Sequence, residues 1–116
     1  LEGKDYVVFG APKRSLETMG ETFWKNYNLK RIEKKIKVRM IFNPSIKSYG
    51  KTIVNKLTLV KYFDNDFEPL TETHIQEDKV GIIVWTEEPI LFLIRDKNVA
   101  NSYLKFFENM WKIAKR

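Results

Sequence analysis

The closing stretch of the chain constrains its fold more than any other. After Asp96, the residues Ala100, Tyr103, Leu104, Phe107, Trp111 and Ala114 recur at three- and four-residue spacing, and Val99, Phe106, Met110 and Ile113 widen the stripe. That period predicts a helix with Asp96 as its N-cap and a polar stripe of Asn101, Lys105, Glu108, Lys112 and Lys115. Such a helix is more apolar than one packing face requires. It demands either deep burial or a second chain against its outer side, and Val99, Phe106, Met110 and Ile113 are the expected contacts of a symmetric homodimer. In the competing arrangement, Phe23, Trp24 and Tyr27 of the first helix cover those four residues and leave a monomer.

What precedes that helix reads as alternating strands and helices. Asp5 to Gly10 is a short apolar run rich in β-formers that a glycine ends. Pro12 and Ser15 then offer helix-start chemistry, and Leu16, Met19, Phe23 and Tyr27 share one face, with a break expected near Gly20, Asn26 and Asn28 before a second helical stretch from Leu29 to Lys35. Lys37 to Phe42 reads as a strand that hands over to a helix with Asn43 as N-cap and Pro44 as first residue, and Ile46, Tyr49, Ile53 and Leu57 fall on its inner face. Thr58 to Phe63, Thr73 to Gln76, Val80 to Thr86 and Ile90 to Arg95 complete the strands, the last two paired as a hairpin across Glu87-Glu88-Pro89. No repeat or linker interrupts the order, so residues 1–116 are expected to form a single α/β domain with a mixed sheet flanked by helices.

The residue inventory excludes several chemistries. With no cysteine and a single histidine in 116 residues, zinc, iron–sulfur and disulfide frameworks lack ligands, and no metal or other cofactor is expected. No apolar stretch, Gly81 to Trp85 included, is long enough to span a bilayer, and no signal peptide opens the chain, so a cytoplasmic protein with no membrane partner is expected. Because the chain opens on Leu1 rather than Met, it reads as a piece of something longer.

Four local patterns invite chemistry and fall short of it. Asp64-Asn65-Asp66-Phe67-Glu68 resembles the start of a calcium loop, but Pro69 and Ile75 stand where glycine and glutamate would be needed. Gly10-Ala11-Pro12-Lys13 lacks the rest of a phosphate-binding loop. His74 is a candidate base with Thr71, Glu72 and Thr73 within reach, but a lone histidine on a strand is more often structural. The net charge of +6 and the run Lys30, Arg31, Lys34, Lys35, Lys37, Arg39 suit a polyanion, yet Ile32, Ile36, Val38 and Met40 interleave with it as on a solvated helix end leading into a strand. Direct DNA binding by this chain is expected to be weak and nonspecific.

Three segments together carry a resemblance. Thr71 through Trp85, the Glu88-Pro89 turn, and the ending Asn98-Val99-Ala100-Asn101-Ser102-Tyr103 with Phe106-Phe107-Glu108-Asn109-Met110-Trp111-Lys112-Ile113-Ala114-Lys115 resemble the C-terminal domain of TrmB-like archaeal transcriptional regulators, and Lys30 through Phe42 fits as well. The resemblance implies a phospholipase-D-like half-fold that no longer catalyses and serves dimerisation and effector sensing. It also implies DNA binding by a winged helix upstream, and a small, sugar-like effector. The phosphodiesterase pattern His-x-Lys-x-x-x-x-Asp is broken: counted from His74, its lysine and aspartate positions hold Gln76 and Gly81. The expected function is therefore that of a non-enzymatic regulatory domain. A degenerate phospholipase-D-type phosphodiesterase or nuclease, and a stand-alone basic nucleic-acid-binding module, are the alternatives.

Open α/β sheets bind ligands at the carboxyl ends of their strands, and that rule places the expected effector site at Gly10, Asn43, Ser45, Glu68 and His74.

Overall fold

In the first strand, β1 (Tyr6–Ala11), Tyr6, Val7, Val8 and Phe9 favour extended backbone, and Pro12 ends the ladder because it carries no N–H. The computed structural model describes residues 4–64 and 70–116. Gly10 is a bulge in β1, the register with the next strand slipping between Phe9 and Ala11. Its φ of +88° and the Thr71 carbonyl oxygen, 2.8 Å from where a Cβ would stand, require glycine there.

Helices α1 (Lys13–Met19) and α2 (Glu21–Glu33) follow, divided at Gly20, whose φ of 82° lies outside the helical region. The break thus falls at the glycine alone. Asn26 and Asn28 sit inside α2, which runs unbroken through the expected gap because Asn28 and Arg31 are tied down by tertiary hydrogen bonds. After β2 (Val38–Phe42), Asn43 caps a 3-10 turn (Pro44–Ile46) by accepting the Ser45 N–H at 2.8 Å, and α3 (Lys47–Ile53) continues from it. The capping residue is the expected one. Leu57 falls beyond α3, in the turn before β3 (Thr58–Tyr62).

The second half is a meander of β4 (Thr71–Gln76), β5 (Lys79–Val84) and β6 (Ile90–Arg95), and α4 (Lys97–Ile113) closes the chain with Asp96 as its N-cap. The last two strands pair antiparallel as expected, from Lys79 opposite Arg95 to Val84 opposite Ile90. The strand order is β3-β2-β1-β4-β5-β6. β1, β2 and β3 run parallel, while β1–β4, β4–β5 and β5–β6 are antiparallel, so the mixed sheet divides at β1 into a parallel half and a meander.

Alternation along the strands sends two sets of side chains to two cores. Tyr6, Val8, Val38, Met40, Phe42 and Val60 face α1, α2 and α3 with Leu16, Tyr49 and Ile53. Val7, Ile41, Ile75 and Val80 face α4, where Ala100 and Phe107 are fully buried. Helix α4 starts beside β6 and ends at the opposite edge, where Lys115 pairs with Tyr62 of β3.

This layering overturns the expected cover of α4 by the first helix. Phe23, Trp24 and Tyr27 belong to α2, across the sheet from α4, and cannot cover it. Val99 and Met110 pack on the sheet from their own side. Phe106 and Ile113 point outward, 62% and 77% exposed.

Candidate functional site

Alternation in β4 puts Glu72 and His74 on the same face as Tyr6 and Val8, beneath α2. Glu72 is buried and its carboxylate is shared: one oxygen accepts the Trp85 indole N–H at 3.2 Å, and the other lies 2.5 Å from Nε2 of His74. The His74 ring stacks on Tyr6 with 6.0 Å between centroids. The Tyr6 and Tyr27 hydroxyls share a hydrogen bond of 3.1 Å, and burial pushes both phenols above their ordinary pKa, Tyr6 furthest. Trp24 closes the cluster, edge-on to both Tyr27 and Trp85, with its indole N–H on the Ser15 carbonyl.

The cluster continues inward. Asn28 donates to the Tyr49 hydroxyl and accepts from Arg31. Arg31 is fully buried and also donates to the carbonyls of Ile36 and Leu57 and to the Thr58 hydroxyl, so burial lowers the guanidinium's pKa while neutral acceptors hold it. Arg31 is therefore a structural cation. Arg39 is likewise committed, to Glu108 and the rings of Phe107 and Trp111. The expected solvated basic face loses both arginines of its run to the fold.

The cavity enclosed by Tyr6, Trp24, Tyr27, Tyr49, Glu72 and His74 is about 40 Å³, room for a water and not for a sugar. A ligand-sized cleft of about 770 Å³ opens at the amino ends of β1, β2 and β3, where Asp5, Lys37, Lys56, Glu77, Asp78, Lys97 and Asn101 ring an apolar floor of Val7, Leu57 and Ile75.

The structure distributes the expected site residues as follows. His74 lines the small cavity with Glu72 as its partner. Gly10 is the bulge against Thr71, and Asn43 is fully buried, its oxygen on the Ser45 N–H and its amide nitrogen without a partner among the described residues. Glu68 and the calcium-like run from Asn65 to Glu68 lie outside the described residues. None of the described ones borders the large cleft. The aromatic members of the cluster escape a linear reading because they come from β1, α2 and the residue after β5. The one local signal was the two-residue spacing of Glu72 and His74, which puts both on one face of a strand.

Among the described residues no helix is long and apolar enough to cross a membrane. No family model and no curated protein matches the chain. Among solved structures, the chain is similar to TrmBL2, an archaeal chromatin protein described as showing a novel mode of DNA binding, with a TM-score of 0.64 and 12% identity over 97% of this chain. It spans 42% of the TrmBL2 chain. At that identity the likeness is one of fold, and it extends through both halves of the mixed sheet and the closing helix.

Proposed function

We propose that this chain is a non-enzymatic effector-sensing and dimerisation domain of a TrmB-like transcriptional regulator, built on a phospholipase-D-like half-fold. DNA is contacted by a winged helix in another part of the regulator. The observation that carries this reading is the fold likeness of nearly the whole chain to part of TrmBL2, a protein whose description concerns DNA binding. The effector is a small polar molecule, sugar-like in its chemistry, and the cleft at the amino ends of β1 to β3 has the volume and mixed polar rim to take it.

The reading assigns no catalysis to His74. Its Nε2 is engaged by Glu72, and Gln76, which stands where a phosphate-binding lysine would be needed, donates instead to the Lys4 carbonyl. A stand-alone nucleic-acid module fits less well, because Arg31 and Arg39 are spent inside the fold.

Calorimetric titration of a panel of monosaccharides and disaccharides tests the effector site. Saturable binding that is lost in Asp78→Ala and Lys97→Ala supports it, and silence across the panel removes the sugar-like effector. Hydrolysis of a generic phosphodiester that disappears in His74→Ala would replace the whole reading with a phospholipase-D-type phosphodiesterase.

A further inference from the structure

The two edges of the sheet are finished differently. At β3, the N–H and carbonyl of Thr58 both pair with Asn55, and those of Tyr62 both pair with Lys115, so that edge is closed at each end. At β6 the side chains of Ile90, Leu91, Phe92 and Leu93 are all half exposed or more, on both faces of the strand, with no charge before Arg95. Free edges are normally blunted by charge, proline or a covering segment. This one is not.

The backbone of β6 is phased for a partner. The Asp96 N–H donates to the Asp78 carbonyl, one step beyond the Lys79–Arg95 pair. Bonded and non-bonded pairs alternate in an antiparallel ladder, so Ile90, Phe92 and Ile94 turn their N–H and carbonyl groups toward β5, and Leu91, Leu93 and Arg95 turn theirs outward. Glu87 and Glu88 stand before the strand, and Arg95 and Lys97 after it flank Asp96, whose carboxylate is taken up in capping α4.

We infer that β6 pairs antiparallel with β6 of a second copy of this chain, joining two six-stranded sheets into one continuous sheet. With Leu93 opposite Leu93 and Leu91 opposite Arg95, every outward backbone group of these three residues finds a partner. Phe92 then lies against Ile94 of the second copy on the α4 side. The same two-fold arrangement brings the Glu87-Glu88 end of each strand to the Arg95 end of the other, whereas a parallel neighbour would set Arg95 beside Arg95. A heterologous fibre needs a second open edge, and Asn55 and Lys115 occupy the ends of β3, so the assembly stops at two. This inference rests on the dimerisation half of the proposed function and moves the contact from α4 to the sheet edge.

Sedimentation of the chain with Leu93→Pro, and separately with Phe106→Glu and Ile113→Glu, tests it. Proline at Leu93 removes an outward N–H and leaves the bonds to β5 intact. The expected result is a parent chain at twice 13.8 kDa and a Leu93→Pro variant at 13.8 kDa with unchanged circular dichroism. A parent dimer that survives Leu93→Pro and separates with the α4 substitutions overturns the edge pairing and keeps the dimer. A parent chain that stays monomeric at high micromolar concentration overturns both, while the effector titration still judges the rest of the reading. Should Leu93→Pro unfold, hydrogen exchange on the parent chain decides. Amides of Leu91, Leu93 and Arg95 slowed about tenfold or more in the dimer support the pairing, and open-chain rates there overturn it.

Discussion

Both terminal nitrogens of Arg39 donate to the carboxylate of Glu108, each at 2.7 Å, which ties β2 directly to α4. The same guanidinium lies 5.1 Å from the centre of the Phe107 ring and 5.5 Å from that of Trp111. Two β3 groups lock the helix further along: the Lys61 ammonium sits 4.5 Å from the Trp111 ring and donates to its carbonyl, and Tyr62 pairs with Lys115. Side-chain chemistry from the parallel strands therefore sets where the closing helix lies.

The Arg39–Glu108 pair gives an acid-sensitive contribution. Hydrogen bonds from Arg39 hold the Glu108 carboxyl below its ordinary value of 4.5, so the stability it adds is present above that value and is lost as pH falls through the lower folded one. Both side chains are partly exposed, and the pair contributes under about 1 kcal/mol. Glu108→Gln should lower stability by that amount at neutral pH and by less in acid, as the pH falls through the lowered value that Arg39 gives Glu108. Urea denaturation at the two pH values checks it.

Replacing Arg31 should cost far more. Arg31→Met leaves the carbonyl of Ile36 and the Thr58 hydroxyl buried without their donor, a loss of about 3 kcal/mol or more. Arg31→Lys should recover only part of it, because one ammonium cannot reach the acceptors that the guanidinium fork spans. Thermal and urea unfolding of both variants measure the difference.

Alkaline stability should be limited chiefly by two phenols, Tyr6 and Tyr27, with Tyr62, also raised by burial, adding to them. Burial first, then the neighbouring Tyr27, raises the pKa of Tyr6, and burial raises that of Tyr27, so the unfolded chain ionises near pH 10 while the folded one does not. The stabilisation is fully present below that pH and is lost as pH rises beyond it. Tyr6→Phe should cost about 1 kcal/mol at neutral pH through the lost hydrogen bond and flatten the alkaline loss. Tyrosinate absorbance followed alongside circular dichroism should show the two phenols ionising only as the chain unfolds.

Gly50 in α3 sits under the Tyr62 phenol, with the hydroxyl oxygen 2.1 Å from where a Cβ would stand. Gly50→Ala should destabilise the chain by about 1–3 kcal/mol despite alanine's better helix propensity. Adding Tyr62→Phe, which removes the offending oxygen, should return part of the loss, and a double-mutant cycle reads the coupling.

Local chemistry made much of this fold legible in the sequence. The Asn43 and Asp96 caps, the β5–β6 hairpin and the α4 stripe all depend on neighbours within a few residues, and each stands where the residues placed it. The strand end expected at Gly10 does not, because β1 passes through that glycine as a bulge and runs to Ala11. What escaped depended on distant partners. The expected break at Asn26 and Asn28 is absent because Tyr49 and Arg31 hold Asn28 in the helix, and Arg31 read as a solvated charge because its acceptors lie in the turn after α2, the turn before β3 and β3 itself. The surroundings of His74 were half visible: Glu72 is close in sequence, whereas Tyr6 stacks on it, and Trp85 and Trp24 join the cluster through Glu72 and one another, only because the sheet and α2 bring them together. Strand β6 read as one more apolar strand. Its place at the rim follows from the strand order, in which, among the described residues, β5 is its one paired neighbour.

The division of the sheet at β1 also orders assembly in time. β4, β5, β6 and α4 are consecutive in the chain and touch one another, so they can close through short loops. β1 must instead reach Val38–Phe42 on one side and Thr73–Ile75 on the other, the longer span enclosing more than half the chain. Loop closure over such distances is slow, so the meander and its helix nucleate and the parallel half condenses onto them, with the docking of β1 as the step that sets the rate.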